Sequence, residues 1–108
     1  MTTDARVVLC NCPDRSVARR LARAVVRQRL AACVNIVPGV ESVYWWEGEI
    51  QQHTECTLLI KTTRDAWSDL EAALQAGHPD DIPEIIALPV ESGLKDYLEW
   101  IRASTIPG

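Results

Sequence analysis

The chain has 108 residues, of which 47% are hydrophobic and 24% charged, and its formal net charge is −4 at pH 7. This composition predicts one globular domain over residues 1–108, with a core that needs no disulfide or structural metal. The negative charge argues against generic binding to nucleic acid or to an anionic membrane. The sequence shows neither an apolar stretch of the ~20 residues that span a bilayer nor a signal-peptide pattern, so we expect a cytoplasmic protein.

The first predicted element is a short buried strand that contains two cysteines. It begins near Val7 in "VVLCNCP" and ends at Pro13, and Asp14 is a suitable helix N-cap. Cys10 and Cys12 would project from the same face, because side chains alternate along a strand. Their spacing suits either core packing, where cysteine acts as a small hydrophobe, or two thiolate ligands for one soft ion.

A basic helix is predicted to follow Asp14 and to run to about Ala31. Six of the eleven positive charges are arginines that lie between Arg15 and Arg29. A basic helix could contact phosphate groups, but no aromatic residues interleave with these arginines and the chain as a whole is acidic. We therefore expect the arginines to form a solvated helix face.

A long hairpin is predicted from Cys33 to Thr62, with a turn at Glu47-Gly48 and a bulge at Pro38-Gly39. Arms of about 13 residues would reach roughly 40 Å, which exceeds the ~35 Å diameter of a domain of this length. The hairpin should therefore overhang its own domain and expose apolar residues, namely Val43, Tyr44, Trp45, Trp46 and Ile50. Another subunit would cover them. Trp45 and Trp46 face opposite sides, so at least one is expected at the interface.

The second half of the chain predicts helix, loop, strand and helix. The helix spans roughly Arg64 to Ala76 with Gly77 as its stop, and a loop stiffened by prolines follows from His78 to Pro83. "EIIALPV" predicts the last core strand. The terminal helix is expected to bury Leu94, Tyr97, Leu98 and either Trp100 or Ile101. Strand–helix–strand–strand–helix–strand, followed by a helix, is the split βαβ pattern of ferredoxin-like α+β folds.

Several motifs together resemble the CutA family of divalent-cation tolerance proteins. These are "LAACVNIVPGVESVYWWEG", "LLIKT", "HPDDIPEIIALPV" and "YLEWI", and the resemblance extends from Val7 to about Ser104. It implies a ferredoxin-like homotrimer assembled through the long hairpins, similar in architecture to the PII signalling proteins. In bacteria the family is linked to copper tolerance, so the resemblance implies copper or another divalent cation as the ligand.

The resemblance also implies a set of metal ligands. The family's ligands lie at the cysteine that ends the first strand and at a His-His pair before the proline of the second loop. Here these positions correspond to Cys10 and His78, while Gly77 occupies the position of the first histidine. Cys12, on the same strand face as Cys10, is an additional candidate. Glu55 is another, because its position is expected near the Cys10 region of a neighbouring subunit.

A second site is predicted between subunits. Glu84 opens a buried strand and needs a charge partner, for which Lys61 at the end of the third strand is the candidate. The pair would either be purely structural or, together with Trp45 and Trp46, line an inter-subunit pocket. The alternative function is thus a PII-like sensor that binds a small anionic metabolite in such clefts, anchored by Lys61. The chain shows neither a glycine-rich phosphate loop nor a catalytic triad pattern, so we do not expect an enzyme.

Overall fold

The computed structural model describes residues 3–106 of the chain. Four strands form one antiparallel sheet in the order β2-β3-β1-β4, accompanied by three helices. In chain order the elements are β1 (Ala5–Cys12), α1 (Arg15–Arg27), β2 (Cys33–Trp46), β3 (Glu49–Thr63), α2 (Trp67–Gly77), β4 (Ile85–Pro89) and α3 (Lys95–Ser104). This confirms the predicted α+β class and the order of its elements. Within these residues no helix has both the length and the apolar character needed to cross a bilayer.

Strand β1 lies inside the sheet, paired with β3 on one side and with β4 on the other. Its side chains alternate as predicted: Val8, Cys10 and Cys12 are fully buried, whereas Leu9 and Asn11 on the opposite face are half-buried. The buried face packs against α1 and α2 through a core cluster that includes Ala18, Leu21, Val25, Leu70 and Leu74. The two cysteines therefore belong to the main core of the protein.

Helix α1 begins as predicted but ends earlier. The carboxylate of Asp14 accepts a hydrogen bond of 2.9 Å from the Val17 N–H, which satisfies one free donor of the first turn. The helix stops at Arg27 because Arg29 adopts a left-handed conformation with φ of 60°. The Leu30 N–H then bonds the Val25 carbonyl at 2.9 Å. This kind of helix end usually has glycine at the left-handed position. Because an arginine occupies it here, the sequence carries no signal for the end of the helix.

The hairpin formed by β2 and β3 has the predicted turn and bulge. Glu47 and Gly48 both have positive φ, which is typical of a two-residue hairpin turn. The β2–β3 register shifts between Val37 and Val40, next to Gly39 with its φ of 71°. Beyond Cys56 towards the turn, β3 pairs with β2 alone, so the hairpin extends past β1. The longest dimension of the domain is accordingly 44 Å.

Apolar side chains remain exposed at the hairpin tip and on the outer sheet face. Trp45 is 71% exposed, and Val43 and Ile50 are exposed beside it. On β4, Ile86 and Leu88 pair with the outward-facing residues of β1 and are also exposed. Monomeric proteins seldom leave this much apolar surface in contact with water.

The terminal helix α3 is less buried than its sequence predicts. Ile101 is buried, but Leu94 is 75% exposed, and Tyr97 and Trp100 are also exposed. The rings of Tyr97 and Trp100 stack with their centroids 5.6 Å apart. The burial expected for Leu94 and Tyr97 is therefore wrong within one chain, whereas of the two alternatives Trp100 and Ile101 it is Ile101 that is buried. A ten-residue helix at the end of the sheet presents only a narrow face to the core, and Ile101 occupies it.

Candidate metal centre

Cys10, Cys12 and His78 meet inside the core. Strand β1 directs both sulfurs towards α1, and His78 follows the last residue of α2 with an extended backbone. One ligand atom from each residue lies within 4.8 Å of the other two, and all three residues are buried. Two sulfurs bound to one ion at ~2.3 Å each lie up to about 4.6 Å apart, so the spread of this group fits a single ion.

Both ring nitrogens of His78 already have hydrogen-bond partners. Nε2 lies 2.6 Å from the carbonyl oxygen of Asn11, and Nδ1 accepts the backbone N–H of Asp80 at 3.1 Å. Because Nδ1 accepts, Nε2 must carry the proton and donate it to Asn11. The imidazole therefore bridges two backbone groups. It can become a ligand only after one of these bonds is released, whereas the two sulfurs have free lone pairs.

The two thiols differ in acidity although they lie side by side. Hydrogen bonding with Cys12, reinforced by burial and by nearby negative charge, raises the pKa of Cys10 far above its usual range. The same bond lowers the pKa of Cys12, against the opposing effect of burial. Cys12 is therefore the more acidic thiol of the pair.

Gly77 occupies the position of a histidine in the implied ligand set, and it also lies in close contact with helix α1. A Cβ atom at this position would lie 2.7 Å from Cδ2 of Leu21, a buried core side chain of α1. A side chain at this position requires Leu21 to move. The structure thus brings Cys10 and His78 together, and a second histidine at 77 would have to displace the Leu21 side chain.

A third core thiol, Cys56 on β3, was missed by sequence reasoning. It is buried and lies directly opposite Cys12 in the β1–β3 register, outside the 4.8 Å group. Alternation along "HTECTLLIK" could have placed it on the inner face, but only the register shows which residue it faces. Three of the four free cysteines thus occupy one region of the core, while Cys33 pairs with Lys61 on the outer face.

A cleft of about 630 Å³ lies next to this centre, on the other side of β1. Asn11 lines it and joins both neighbouring elements: its amide donates to Glu84 at 3.3 Å, and its Oδ1 accepts from Thr57 at 2.7 Å. The other lining residues come from the segment after β1, from the hairpin and from the loop after α2; they are Pro13, Tyr44, Trp46, His53, Thr54, Glu55, Pro79, Asp80, Asp81 and Ile82. Glu55 therefore lies in the cleft, away from the Cys10 group of its own chain.

The charge of the cleft disfavours an anionic ligand. Four carboxylates line it, from Glu55, Asp80, Asp81 and Glu84, and no lysine or arginine is among its lining residues within the described chain. A small anion would therefore meet repulsion from this subunit's walls. Trp46 and Glu84, two residues of the predicted pocket, belong to this lining. The other two, Lys61 and Trp45, do not.

The predicted ion pair between Lys61 and Glu84 is wrong within one chain. Lys61 lies opposite Val7 and donates to the side-chain oxygen of Asn35, whereas Glu84 accepts from Asn11. Val7 and Asn11 are four residues apart, or about 13 Å along the strand. The register of β1 therefore separates the two charges, and each binds a neutral amide instead.

The fold and the buried donor group together define a small α+β protein with a candidate soft-metal centre. Residues 6–104 match the sequence profile of the family described as CutA1 divalent ion tolerance protein. The divalent-cation tolerance protein CutA of Thermus thermophilus is 50% identical over 99 residues, which cover 92% of this chain and 96% of that protein.

Solved structures give the same result. A divalent cation tolerance protein from Thermus thermophilus superposes with a TM-score of 0.91 at 48% identity, over 94% of this chain and 98% of that one. CutA1 from Oryza sativa superposes with a TM-score of 0.93 at 46% identity, over 97% and 96% of the two chains. The chain belongs to the CutA1 divalent ion tolerance family, which confirms the resemblance seen in its sequence.

The contact at Gly77 can be tested by a double-mutant cycle. We expect Gly77→Ala to lower the free energy of unfolding by about 1–3 kcal/mol, because the added methyl overpacks the core. Helix propensity alone would favour alanine by about 1 kcal/mol, so the sign of the change is informative. Leu21→Ala alone should cost about 2–5 kcal/mol.

In the double variant the added methyl occupies part of the space that Leu21 leaves, so the combined loss should be smaller than the sum. Urea unfolding at one fixed protein concentration provides the measurement, because association between chains alters apparent stability. Strictly additive losses, or a stabilising Gly77→Ala, would contradict the contact.

Proposed function

We propose that this protein takes part in metal-ion tolerance by binding a soft cation, with copper as the preferred ion. Cys10 and Cys12 would be its sulfur ligands and His78 the third donor. The observation that supports this most directly is the buried group of three donor atoms within 4.8 Å. Family membership supports metal tolerance in general. The donor set supports the choice of ion.

The donor atoms favour Cu(I) over harder ions and over ions that require more ligands. Thiolates prefer soft ions, whereas carboxylates and water suit Mg²⁺, Ca²⁺ and Mn²⁺. The acidic side chains of the cleft lie on the other side of β1, away from the thiols. Structural Zn²⁺ sites have four ligands, and the group here offers three. Cu(I) is therefore the ion that this group fits best.

We also propose that three chains assemble into a ferredoxin-like, PII-like homotrimer. The overhanging hairpin and the exposed apolar residues of β4 and α3 support association, because each would otherwise remain in water. The split βαβ connectivity with strand order β2-β3-β1-β4 supports the ferredoxin-like class. In such an assembly a neighbouring chain would cover Trp45 and Leu88.

We further propose a binding role in the cytoplasm, without catalysis. The free cysteines and the hydrogen bonds of His78 support it. All four cysteines are free thiols, which suits a reducing compartment. Both nitrogens of His78 are engaged by backbone groups, so this histidine is not free to act as a base towards Cys10 or Cys12.

Removal of either inner-face thiol of β1 should abolish tight ion binding. We expect Cys10→Ser and Cys12→Ser each to weaken Cu(I) affinity by at least about 100-fold, and His78→Asn by less, because its ring must first release a backbone bond. The measurement is an anaerobic titration of reduced protein against a chromogenic Cu(I) chelator, repeated with Zn²⁺.

Cys33→Ser is the matched control, since this thiol lies on the outer face and should not alter the affinity. Two results would contradict the proposal: equal Cu(I) affinity in the wild type and both β1 variants, or Zn²⁺ binding as tight as Cu(I) binding.

Ion affinity should rise with pH. The raised pKa of Cys10 keeps a proton on this thiol, and an ion that binds its sulfur must displace that proton. One proton released corresponds to about a tenfold gain in Cu(I) affinity per pH unit. Competition titrations at about pH 6, 7 and 8, corrected for the chelator's own protonation, measure this slope. A flat profile would mean that both thiols are already ionised.

Light scattering should give the mass of three chains for the wild type. The variant with both Trp45→Asp and Leu88→Asp should shift towards one chain, because it places two charges on the exposed apolar surfaces. Arg23→Asp, on the exposed face of α1, serves as the control and should remain trimeric. A wild-type mass of one chain, or a double variant as large as the control, would contradict the assembly.

A further inference from the structure

Cys12 and Cys56 form the last residue pair of the β1–β3 ladder. They lie directly opposite each other, and both are buried on the inner face of the sheet. Opposite residues in an antiparallel pair have Cα atoms about 4.5–5.5 Å apart, and disulfides join Cα atoms about 4.4–6.8 Å apart. The register therefore places these two thiols within bonding reach without movement of the strands.

The other thiols are poorer partners. Cys10 and Cys12 are two residues apart on one strand, or nearly 7 Å between Cα atoms, which is at the limit for a disulfide. Cys33 pairs with Lys61 on the outer face of the sheet, so the sheet itself separates it from Cys12. Among the four cysteines, Cys12 and Cys56 thus form the pair best placed to bond.

The pair lies at a position where the sheet can open locally. Pro13 directly follows Cys12, Glu55 directly precedes Cys56, and both of these neighbours line the cleft. The β1–β3 ladder ends at this pair, and the ends of ladders open locally at lower free energy than their centres. Opening of this residue pair would admit a small oxidant to both sulfurs.

We propose that Cys12 and Cys56 form a reversible disulfide when the protein meets a peroxide, and that this bond removes Cys12 from the ion-binding group. The inference deepens the proposed function and rests on it for the regulatory part. Because Cys12 is shared between the two pairs, it cannot be a thiolate ligand and a disulfide partner at the same time. Peroxide would thus convert a site with two sulfur ligands into one with Cys10 alone.

The chemistry balances with hydrogen peroxide as the oxidant. A thiolate of the pair attacks one peroxide oxygen; an S–O bond forms, the O–O bond breaks, and hydroxide leaves and takes a proton to become water. The facing thiol then attacks this sulfur; an S–S bond forms, the S–O bond breaks, and a second water leaves. The two sulfurs together lose two electrons, and the peroxide gains them. A dithiol reductant reverses the step by thiol–disulfide exchange.

The test treats reduced full-length protein with hydrogen peroxide and measures its intact mass. We expect each chain to lose the mass of two hydrogen atoms, and proteolysis without reduction should map the bond to Cys12–Cys56. Cys56→Val should abolish this loss, and Cys33→Ser should leave it unchanged. Cys56→Ser is a second variant in case the larger valine disturbs the core.

Other mass changes would overturn the inference: oxygen additions without bond formation, a bond that involves Cys10 or Cys33, or the same loss in both Cys56 variants. A separate arm tests the regulatory part by Cu(I) competition on the reduced and oxidised forms, after removal of the peroxide. The oxidised form should bind at least about 100-fold more weakly. Equal affinity of the two forms would overturn the regulatory part.

The Cu(I) competition also distinguishes a failure of the proposed function from a failure of the proposed disulfide. Absence of Cu(I) binding in the reduced protein would refute the proposed function, whereas the mass measurement on metal-free protein decides the disulfide by itself.

Discussion

The candidate site depends on the position of β1 inside the sheet, where it pairs with β3 on one side and with β4 on the other. Hydrogen bonds to β3 and β4 fix this strand, so each of its side chains has an assigned face. Cys10 and Cys12 consequently lie in the dry core, and Asn11 between them faces the acidic cleft. One strand thereby separates soft sulfur donors from hard carboxylate donors by the thickness of a single layer. A register shift of one residue would exchange these two environments.

Asn11 connects the two environments that β1 separates. Its carbonyl oxygen accepts a hydrogen bond from Nε2 of His78, and its side chain forms hydrogen bonds with Thr57 and Glu84. Strand β1, the loop after α2 and the hairpin therefore meet at this residue. The loop after α2 is therefore held over the thiols by hydrogen bonds rather than by apolar packing. Hydrogen bonds of this kind contribute about 1 kcal/mol each, so the loop can open without loss of the core. An ion would reach the buried sulfurs during such an opening.

Local patterns predicted the parts of this structure that local forces decide. Alternation placed Cys10 and Cys12 on one face, and the turn residues Glu47 and Gly48 gave the hairpin its correct limits. Non-local register decided the rest. The facing position of Cys56 and the separation of Lys61 from Glu84 depend on how strands pair, which alternation alone does not specify. The backbone bonds of His78 depend on how the loop after α2 lies against β1.

The placement of the cysteines is more specific than core packing requires. The inner sheet face contains many positions suited to a small hydrophobe, yet Cys10, Cys12 and Cys56 occupy neighbouring ones at the end that meets His78 and the cleft. Alanine and valine also suit an apolar core face, but neither oxidises or binds ions. Thiols gathered beside a histidine and next to a solvent-accessible cleft have a chemical use that dispersed thiols lack. Because Cys12 belongs to both the group of three donors and the facing pair, the proposed ion binding and the proposed disulfide would compete for a single sulfur atom.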